Sequence, residues 1–142
     1  MSKMNIFVYG SLMFDEVWTA LVNDPCHKMD ARLDGFKRLE VKRQLYPGMI
    51  EAKESVVDGR LMLDVQDADM LVLDRFEGEY YRRAQVVVSA NDGRLLDAQT
   101  YIFRDKYRYL LGNNEWDIDR FCNSGIKAFL AEYGGFPQVR NR

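Results

Sequence analysis

Asn5-Ile6-Phe7-Val8-Tyr9-Gly10-Ser11 reads as a strand that runs into a sharp turn. Both alternating faces of residues 5–9 are apolar, the pattern of a central strand covered on each side. Gly10 has no Cβ and lets the backbone turn where the strand stops. Successive N–H groups in such a turn can converge on one point and receive an anion. The spacing of a P-loop or of a dinucleotide fingerprint is absent. An ordinary turn has the same composition, so this segment alone leaves both readings open.

On the C-terminal side of this turn, Val17, Trp18, Leu21 and Val22 share one stripe of a short helix over 15–22, which Pro25 ends. Strand-like segments at 29–34 and 36–43 follow, joined near Asp34-Gly35, and Tyr46-Pro47-Gly48 carries a turn signal. Within 56–65 the alternation puts Leu61, Leu63 and Val65 on one face and Arg60, Met62 and Asp64 on the other. Asp67 can cap a helix over 68–76 with Ala68, Leu71 and Val72 at helical spacing, and Gly78 is placed to end it in a left-handed conformation. Residues 80–90 alternate with Ala84, Val86 and Val88 inward. Asn91-Asp92-Gly93 then turns the chain into a partner strand at 96–103. Beyond an aromatic-rich polar stretch (105–116), Ile118, Phe121, Cys122, Gly125, Phe129, Leu130 and Tyr133 repeat at three to four residues. That spacing predicts a helix closed by Gly134-Gly135, with Cys122 on its buried stripe. Strands outnumber helices and are mostly hairpin-linked. The class is therefore α+β, a curved, largely antiparallel sheet with flanking helices, in one domain spanning 1–142.

Composition narrows the chemistry. The chain has 142 residues, 47% apolar or aromatic, with 20 basic and 22 acidic side chains mixed along its length. This length buries a core without disulfides or metals. No basic stripe points to nucleic acid, no apolar run approaches a membrane span, and the N-terminus does not read as a signal peptide, so a cytoplasmic setting is expected. The single His27 cannot build a multi-His zinc site, and Cys26 and Cys122 lack metal-binding spacing. Catalysis is left to carboxylates, hydroxyls and backbone amides.

Leu73-Asp74-Arg75-Phe76-Glu77-Gly78-Glu79-Tyr80-Tyr81-Arg82 places Glu77 where the preceding helix ends. The negative end of a helix dipole and an apolar surround both disfavour its charge, which raises its pKa toward the range of a general acid/base. A solvated carboxylate at a helix end is the alternative. Glu79 is its rival, but it lies beyond the helix-ending glycine.

Taken in order, several segments resemble the gamma-glutamylcyclotransferase-like family, in its short branch with the plant avirulence-induced-gene-like proteins. They are Phe7-Val8-Tyr9-Gly10-Ser11-Leu12-Met13, Gly35-Phe36-Lys37-Arg38, Tyr46-Pro47-Gly48-Met49-Ile50, Val57-Asp58-Gly59, Leu73-Asp74-Arg75-Phe76-Glu77-Gly78 and Tyr81-Arg82. The resemblance implies a small β-barrel-like α+β fold with a pocket at the strand 1 turn. It implies a loop, Tyr9-Gly10-Ser11-Leu12, that cradles a γ-glutamyl group, and Glu77 as the catalytic acid/base. Tyr81 matches an aromatic position that lines the pocket or meets Glu77, or else only packs across strands. Arg82 matches a recurrent structural charge partner. The implied reaction, formally acyl-transfer or lyase chemistry, releases an amine or amino acid and 5-oxoproline from a small γ-glutamyl substrate, with no metal and no cofactor. Leu12 stands where the vertebrate glutamyl-amino-acid enzyme has Asn.

Such chemistry suits a chain poor in histidine. The substrate's α-amine attacks its own γ-carbonyl, so no enzyme nucleophile is needed, and one carboxylate can move the proton from the attacking to the leaving nitrogen. Two other readings stay beside it. One is the same reaction on γ-glutamyl-lysine isopeptides or another γ-glutamylated amine. The other is a small-molecule-binding domain without turnover.

Overall fold

Ile6 and Phe7 are neighbours in β1 (Lys3–Val8) and both are fully buried, so each face of this strand is covered. The computed structural model describes residues 3–22 and 27–133. A 3-10 turn (Ser11–Met13) and α1 (Asp15–Leu21) follow β1. Then come β2 (Lys28–Val41), β3 (Pro47–Gln66), α2 (Asp67–Glu77), β4 (Tyr81–Ala90) and β5 (Leu95–Phe103). A second 3-10 segment (Asp105–Leu110) leads into β6 (Leu111–Glu115), and the described chain ends in α3 (Ile118–Arg120), a π-turn (Phe121–Gly125) and α4 (Ile126–Tyr133).

All six strands belong to one sheet, in the order β3-β1-β5-β4-β2-β6, and β2 also pairs with β3. The pairing thus returns on itself, and the sheet is ring-like without being a regular barrel. The expected antiparallel character holds except between β1 and β5, which run parallel through Ile6 and Gln99. Phe7, Leu33, Met49, Val57, Leu61, Val88, Ala98 and Ile102 come from five strands and no helix, and fill the ring. Ile6, Val8, Met62 and Val65 face the other way, where Trp18 and Leu21 of α1, Met70 and Leu73 of α2, and Phe129 of α4 cover them. Gly59 permits the ring's tight contact: a Cβ there would stand 2.4 Å from the Val8 carbonyl oxygen and 2.7 Å from the Phe7 ring.

Three local readings of the sequence are corrected, two of them by bulges. The two segments expected at 29–34 and 36–43 are one strand, bent at Gly35 (φ 85°), where the register with β3 shifts between Asp34 and Phe36. Asp64 adopts φ 57° at an extra residue of β3, because Met4 pairs with Val65 whereas Ile6 pairs with Met62. The period of two slips there, so Val65 joins Met62 on the helix-covered face while Leu61 and Leu63 face into the ring. Pro47 opens β3 instead of forming a turn, the bend lying just before it with Arg43 at φ 63°.

The helices bring further corrections. In α2 the buried stripe is Met70 and Leu73, with Leu71 exposed, and Gln66 occupies the cap position, so Asp67 is the first helical residue. Cys122 is exposed, contrary to the simple helical spacing. The π-turn at Phe121–Gly125 adds a residue per turn, so Phe121, Gly125, Ile126 and Phe129 share the buried side and Cys122 is turned away. The short strand β6 has no apolar alternation (Leu-Gly-Asn-Asn-Glu) and was not legible as a strand. The stops expected at Pro25 and Gly134-Gly135, the side chain of Tyr133, and Cys26 lie outside the described residues. The helix over 15–22 and the Asn91-Asp92-Gly93 hairpin, with Gly93 at φ 90°, match the structure. Among the described residues, no helix is long and apolar enough to cross a membrane.

Candidate active site

Where β1 ends, the chain is tied down from three sides. Arg38, reaching across from β2, donates through Nη1 to the Tyr9 carbonyl at 2.8 Å while its guanidinium stacks on Trp116. Thr100 Oγ1 donates to the Phe7 carbonyl at 2.9 Å. Pro47 lies against Gly10 so closely that a Cβ on Gly10 would come within 2.7 Å of its ring carbons. Gly10 therefore serves a close approach more than a left-handed backbone, its φ being −131°. The following 3-10 turn uses the amides of Met13 and Phe14, which donate to the carbonyls of Gly10 and Ser11. The amides of Ser11 and Leu12, at the start of the turn, have no partner inside it.

The second half of the site comes from α2. Glu77 is its last residue, and Gly78 stops the helix at φ 79°, ψ −163°, a region open essentially to glycine alone. The Glu77 carboxyl has neither a hydrogen bond nor an ion pair among the described residues, although donors lie close by. The Tyr9 hydroxyl donates instead to the Tyr101 carbonyl at 2.5 Å, and the Tyr101 hydroxyl donates to Asp74 Oδ1 at 2.6 Å. Asp74, one turn before Glu77, is also paired with Arg83 at 3.2 Å. Tyr81 donates to the Pro47 carbonyl at 2.7 Å.

Electrostatics follow from this arrangement. Burial pushes the Glu77 carboxyl up to about 8, and the Asp74 charge adds to the rise. Tyr9 is raised well above the usual phenol range by burial and then by Glu77, against an opposing pull from Arg38. Tyr101 is raised as well, first by burial, then by its bond to Asp74 and the charge of Glu77. Both phenols therefore keep their protons, and the group poised to exchange a proton near neutrality is Glu77.

An inner pocket of about 310 Å³, counting its open mouth, is lined by Tyr9, Gly10, Ser11, Leu12, Glu77 and Tyr81. The structure thus brings together the six residues singled out in the sequence. Phe7, Val8, Tyr46, Pro47 and Tyr101 complete the wall. Beside it lies a second space, the outer chamber, of about 590 Å³ counting the open solvent at its mouth, and Ser11, Tyr46, Glu77 and Tyr81 line both. Glu79 lies in this outer chamber, where its carboxylate accepts from the Tyr107 hydroxyl at 3.1 Å.

Other expectations resolve as follows. Tyr81 combines its two readings, lining the pocket while its ring packs edge-on against Phe103, but its hydroxyl meets Pro47 and not Glu77 through the bond given above. Arg82 is exposed, and the charge partner beside the site is Arg83. His27 is exposed and lines neither space. Trp116 is core and Tyr109 is exposed, whereas Tyr107 stands at the outer chamber through Glu79. Tyr101 and Asp74 were missed. Asp74 carried a local signal, its spacing of three from Glu77 on one helix face, but Tyr101 reaches the site only through the register that pairs it with Arg83. No group of three or more His, Cys, Asp or Glu among the described residues could hold a metal ion.

Comparison with known proteins places the chain in a family and a fold. The family described as "Gamma-glutamyl cyclotransferase, AIG2-like" matches residues 6–118. AIG2-like protein D of Arabidopsis thaliana is 33% identical over 139 residues, covering 96% of this chain and 91% of that protein. The solution structure of another Arabidopsis thaliana protein superposes with a TM-score of 0.71 at 24% identity, over 100% of this chain and 95% of that one. A structure described as a gamma-glutamyl cyclotransferase gives a TM-score of 0.65 at 17% identity, over 72% of this chain and 68% of that one. At these identities the two structural likenesses speak for the fold.

Proposed function

The chain belongs to the gamma-glutamyl cyclotransferase, AIG2-like family, and from that premise we propose that it is a cofactor-independent enzyme cyclising a γ-glutamyl amine or amino acid to 5-oxoproline. One observation carries the reading: the Glu77 carboxyl stands unpaired in a cavity it shares with the turn at 10–12. A carboxylate serving only structure is normally paired when its surroundings strip it of water. One left without a partner, with its pKa near 8, is fitted to take and return a proton.

The glutamyl moiety binds in a curled shape against the turn at 10–12, beside Glu77. Its α-nitrogen attacks the γ-carbonyl carbon, a bond forms between them, and the bond to the leaving nitrogen breaks. Ionised Glu77 takes the proton lost by the attacking nitrogen and delivers it to the leaving one. At pH 7 roughly a tenth of a group with this pKa is ionised, so turnover should climb with pH through about 8. The tethered geometry can supply up to roughly 7–11 kcal/mol of the barrier. Amides at the start of the 3-10 turn are available to the substrate's carboxylate or to the oxygen that gains charge. A reducing, cytoplasmic setting belongs to this reading.

The test is to incubate the purified protein with a panel of γ-glutamyl amino acids, amines and lysine isopeptides and assay 5-oxoproline. Turnover of at least one is expected, and Glu77→Gln should abolish it with the fold unchanged by circular dichroism. Full activity in that variant overturns the mechanism. Ligand-induced melting shifts with no product from any compound would favour a binding domain.

A further inference from the structure

The polar strand β6 pairs with the end of β2, Leu39 opposite Glu115 and Val41 opposite Leu111, and buries only Leu111 of its own residues. What it delivers to the interior is the residue that follows it, Trp116. Trp116 lines neither the inner pocket nor the outer chamber. Two different parts of its indole nevertheless hold two parts of the inner pocket's wall.

The ring face makes the first contact, with the Arg38 guanidinium 5.4 Å from its centroid. The Arg38 side chain is only 9% exposed, whereas its acidic partner Glu115 is 72% exposed and 3.5 Å away. Arg38 Nε has no hydrogen bond among the described residues. A guanidinium so stripped of water takes its compensation from the aromatic face and from the carbonyls of Tyr9 at 2.8 Å and Asp58 at 3.3 Å. The planar trans peptide transmits this grip: with the Tyr9 carbonyl held toward Arg38, the Gly10 N–H is set on the opposite side, and the turn at 10–12 starts from that plane. The indole N–H makes the second contact. Trp116 Nε1 donates to the Leu45 carbonyl at 2.9 Å, in the bend before β3, and the next residue, Tyr46, lines the inner pocket. Backbone bonds tie down the start of that bend, from the Lys42 amide to the Leu110 carbonyl and from the Gln44 amide to the Val41 carbonyl. The Trp116 bond extends the hold to the residue before Tyr46.

Under the cyclotransferase reading, on which this step rests, the glutamyl group lies between walls that set its reach to Glu77, and small displacements of such walls are costly in rate. We infer that Trp116 is a positioning residue: through Arg38 it sets the turn at 10–12, and through Leu45 it sets Tyr46. One indole outside the pocket thus fixes two of the walls around the substrate.

Because the two contacts use different parts of the side chain, substitution separates them. The substrate is the γ-glutamyl compound of the panel above that the parent turns over fastest. Trp116→Phe keeps an aromatic face for Arg38 and removes the N–H, so KM should rise at least about threefold with kcat within about twofold of parental. Trp116→Leu removes both contacts and should lower kcat as well, with kcat/KM down at least about thirtyfold. Arg38→Lys keeps the charge without the planar fork and should share the loss in kcat. Leu33→Ala, a cavity in the ring at a residue that lines neither space, controls for stability: its denaturation midpoint should fall while kcat and KM stay parental. Trp116 variants that lose midpoint as Leu33→Ala does, with parental kcat and KM, overturn the inference and leave the cyclotransferase reading standing. No 5-oxoproline from any compound with the parent overturns that reading instead. Hydrogen exchange then judges Trp116 without turnover, and it also serves if Trp116→Leu does not fold. In Trp116→Phe the Gln44 amide should exchange at least about threefold faster than in Leu33→Ala, while the Met13 and Phe14 amides of the 3-10 turn match between the two; in Arg38→Lys the turn amides should quicken instead. Exchange in both variants equal to that in Leu33→Ala overturns the inference.

Discussion

Glu77, half-buried on the wall of both cavities, holds its proton more tightly than a free carboxyl because burial and the Asp74 charge one helical turn away disfavour its ionised form, while neighbouring hydroxyls donate elsewhere. Two expectations follow at this scale. The first concerns stability. Folding raises the Glu77 pKa from 4.5 to about 8, so the native state holds its proton more tightly than the unfolded chain does. Stability contributed by the proton is present in full below about pH 4.5 and is lost as the pH rises through about 8. Glu77→Gln, which cannot ionise, should therefore melt at a higher temperature than the parent at pH 9, with a gain on the order of a few kcal/mol, and the difference should vanish near pH 4. The second concerns the rate. Asp74→Asn removes the charge that helps raise Glu77, so the ascending limb of kcat/KM against pH should move to lower pH; an unmoved limb would show that Asp74 has no hold on the acid/base.

At the scale of elements, the site is the meeting of two chain terminations: a strand stopped at Gly10 and a helix stopped at Gly78. The two glycines act differently. Gly10 makes room for Pro47, whereas Gly78 is demanded by backbone conformation, with open space where its Cβ would be. Gly78→Ala should accordingly cost about 1–3 kcal/mol in a denaturation midpoint through strain alone. It should depress turnover further by displacing Glu77. Activity and midpoint both at parental values would show that the helix end does not position the proposed acid/base. Similarly, the π-turn in the last helix turns Cys122 outward while bringing Phe121 and Phe129 into contact with each other, ring centroids 5.6 Å apart, and Phe129 into the outer chamber wall.

For the molecule as a whole, the ring-like sheet holds the inner pocket's wall in place: β1 is pinned between β3 and β5, and β5 carries Tyr101 to the pocket. Phe7 lies fully buried in the ring beneath the pocket, and Phe7→Ala should cost about 3–5 kcal/mol by urea denaturation. Leu71→Ala on the exposed face of α2 should change stability by no more than about 0.5 kcal/mol. Comparable losses in the two variants would contradict this division between core and surface. The outer chamber depends on the same assembly, since its walls come from the 3-10 turn after β1, α2, the turn that follows it, β4, the bend before β3 and α4.

Local physics made much of this legible in the sequence. A strand apolar on both faces, a glycine at each termination, a helix ending at Glu77 and an Asn-Asp-Gly hairpin depend on residues within a few positions of one another. So do the six pocket residues, which fall in two short segments. Tertiary structure decided what local pattern cannot carry. The bulge at Asp64 sends Val65 to the opposite face because β3 must fit β1, and β6 forms from a polar segment because β2 offers it an edge. Tyr101 meets Asp74 only because β4 and β5 pair in one register. Such contacts arise from packing between residues distant in the chain, whose energy no window of sequence contains. The identity of Glu77 was thus local, but its partial burial and its lack of a partner among the described residues, which suit it to the proposed proton transfer, were decided by the fold.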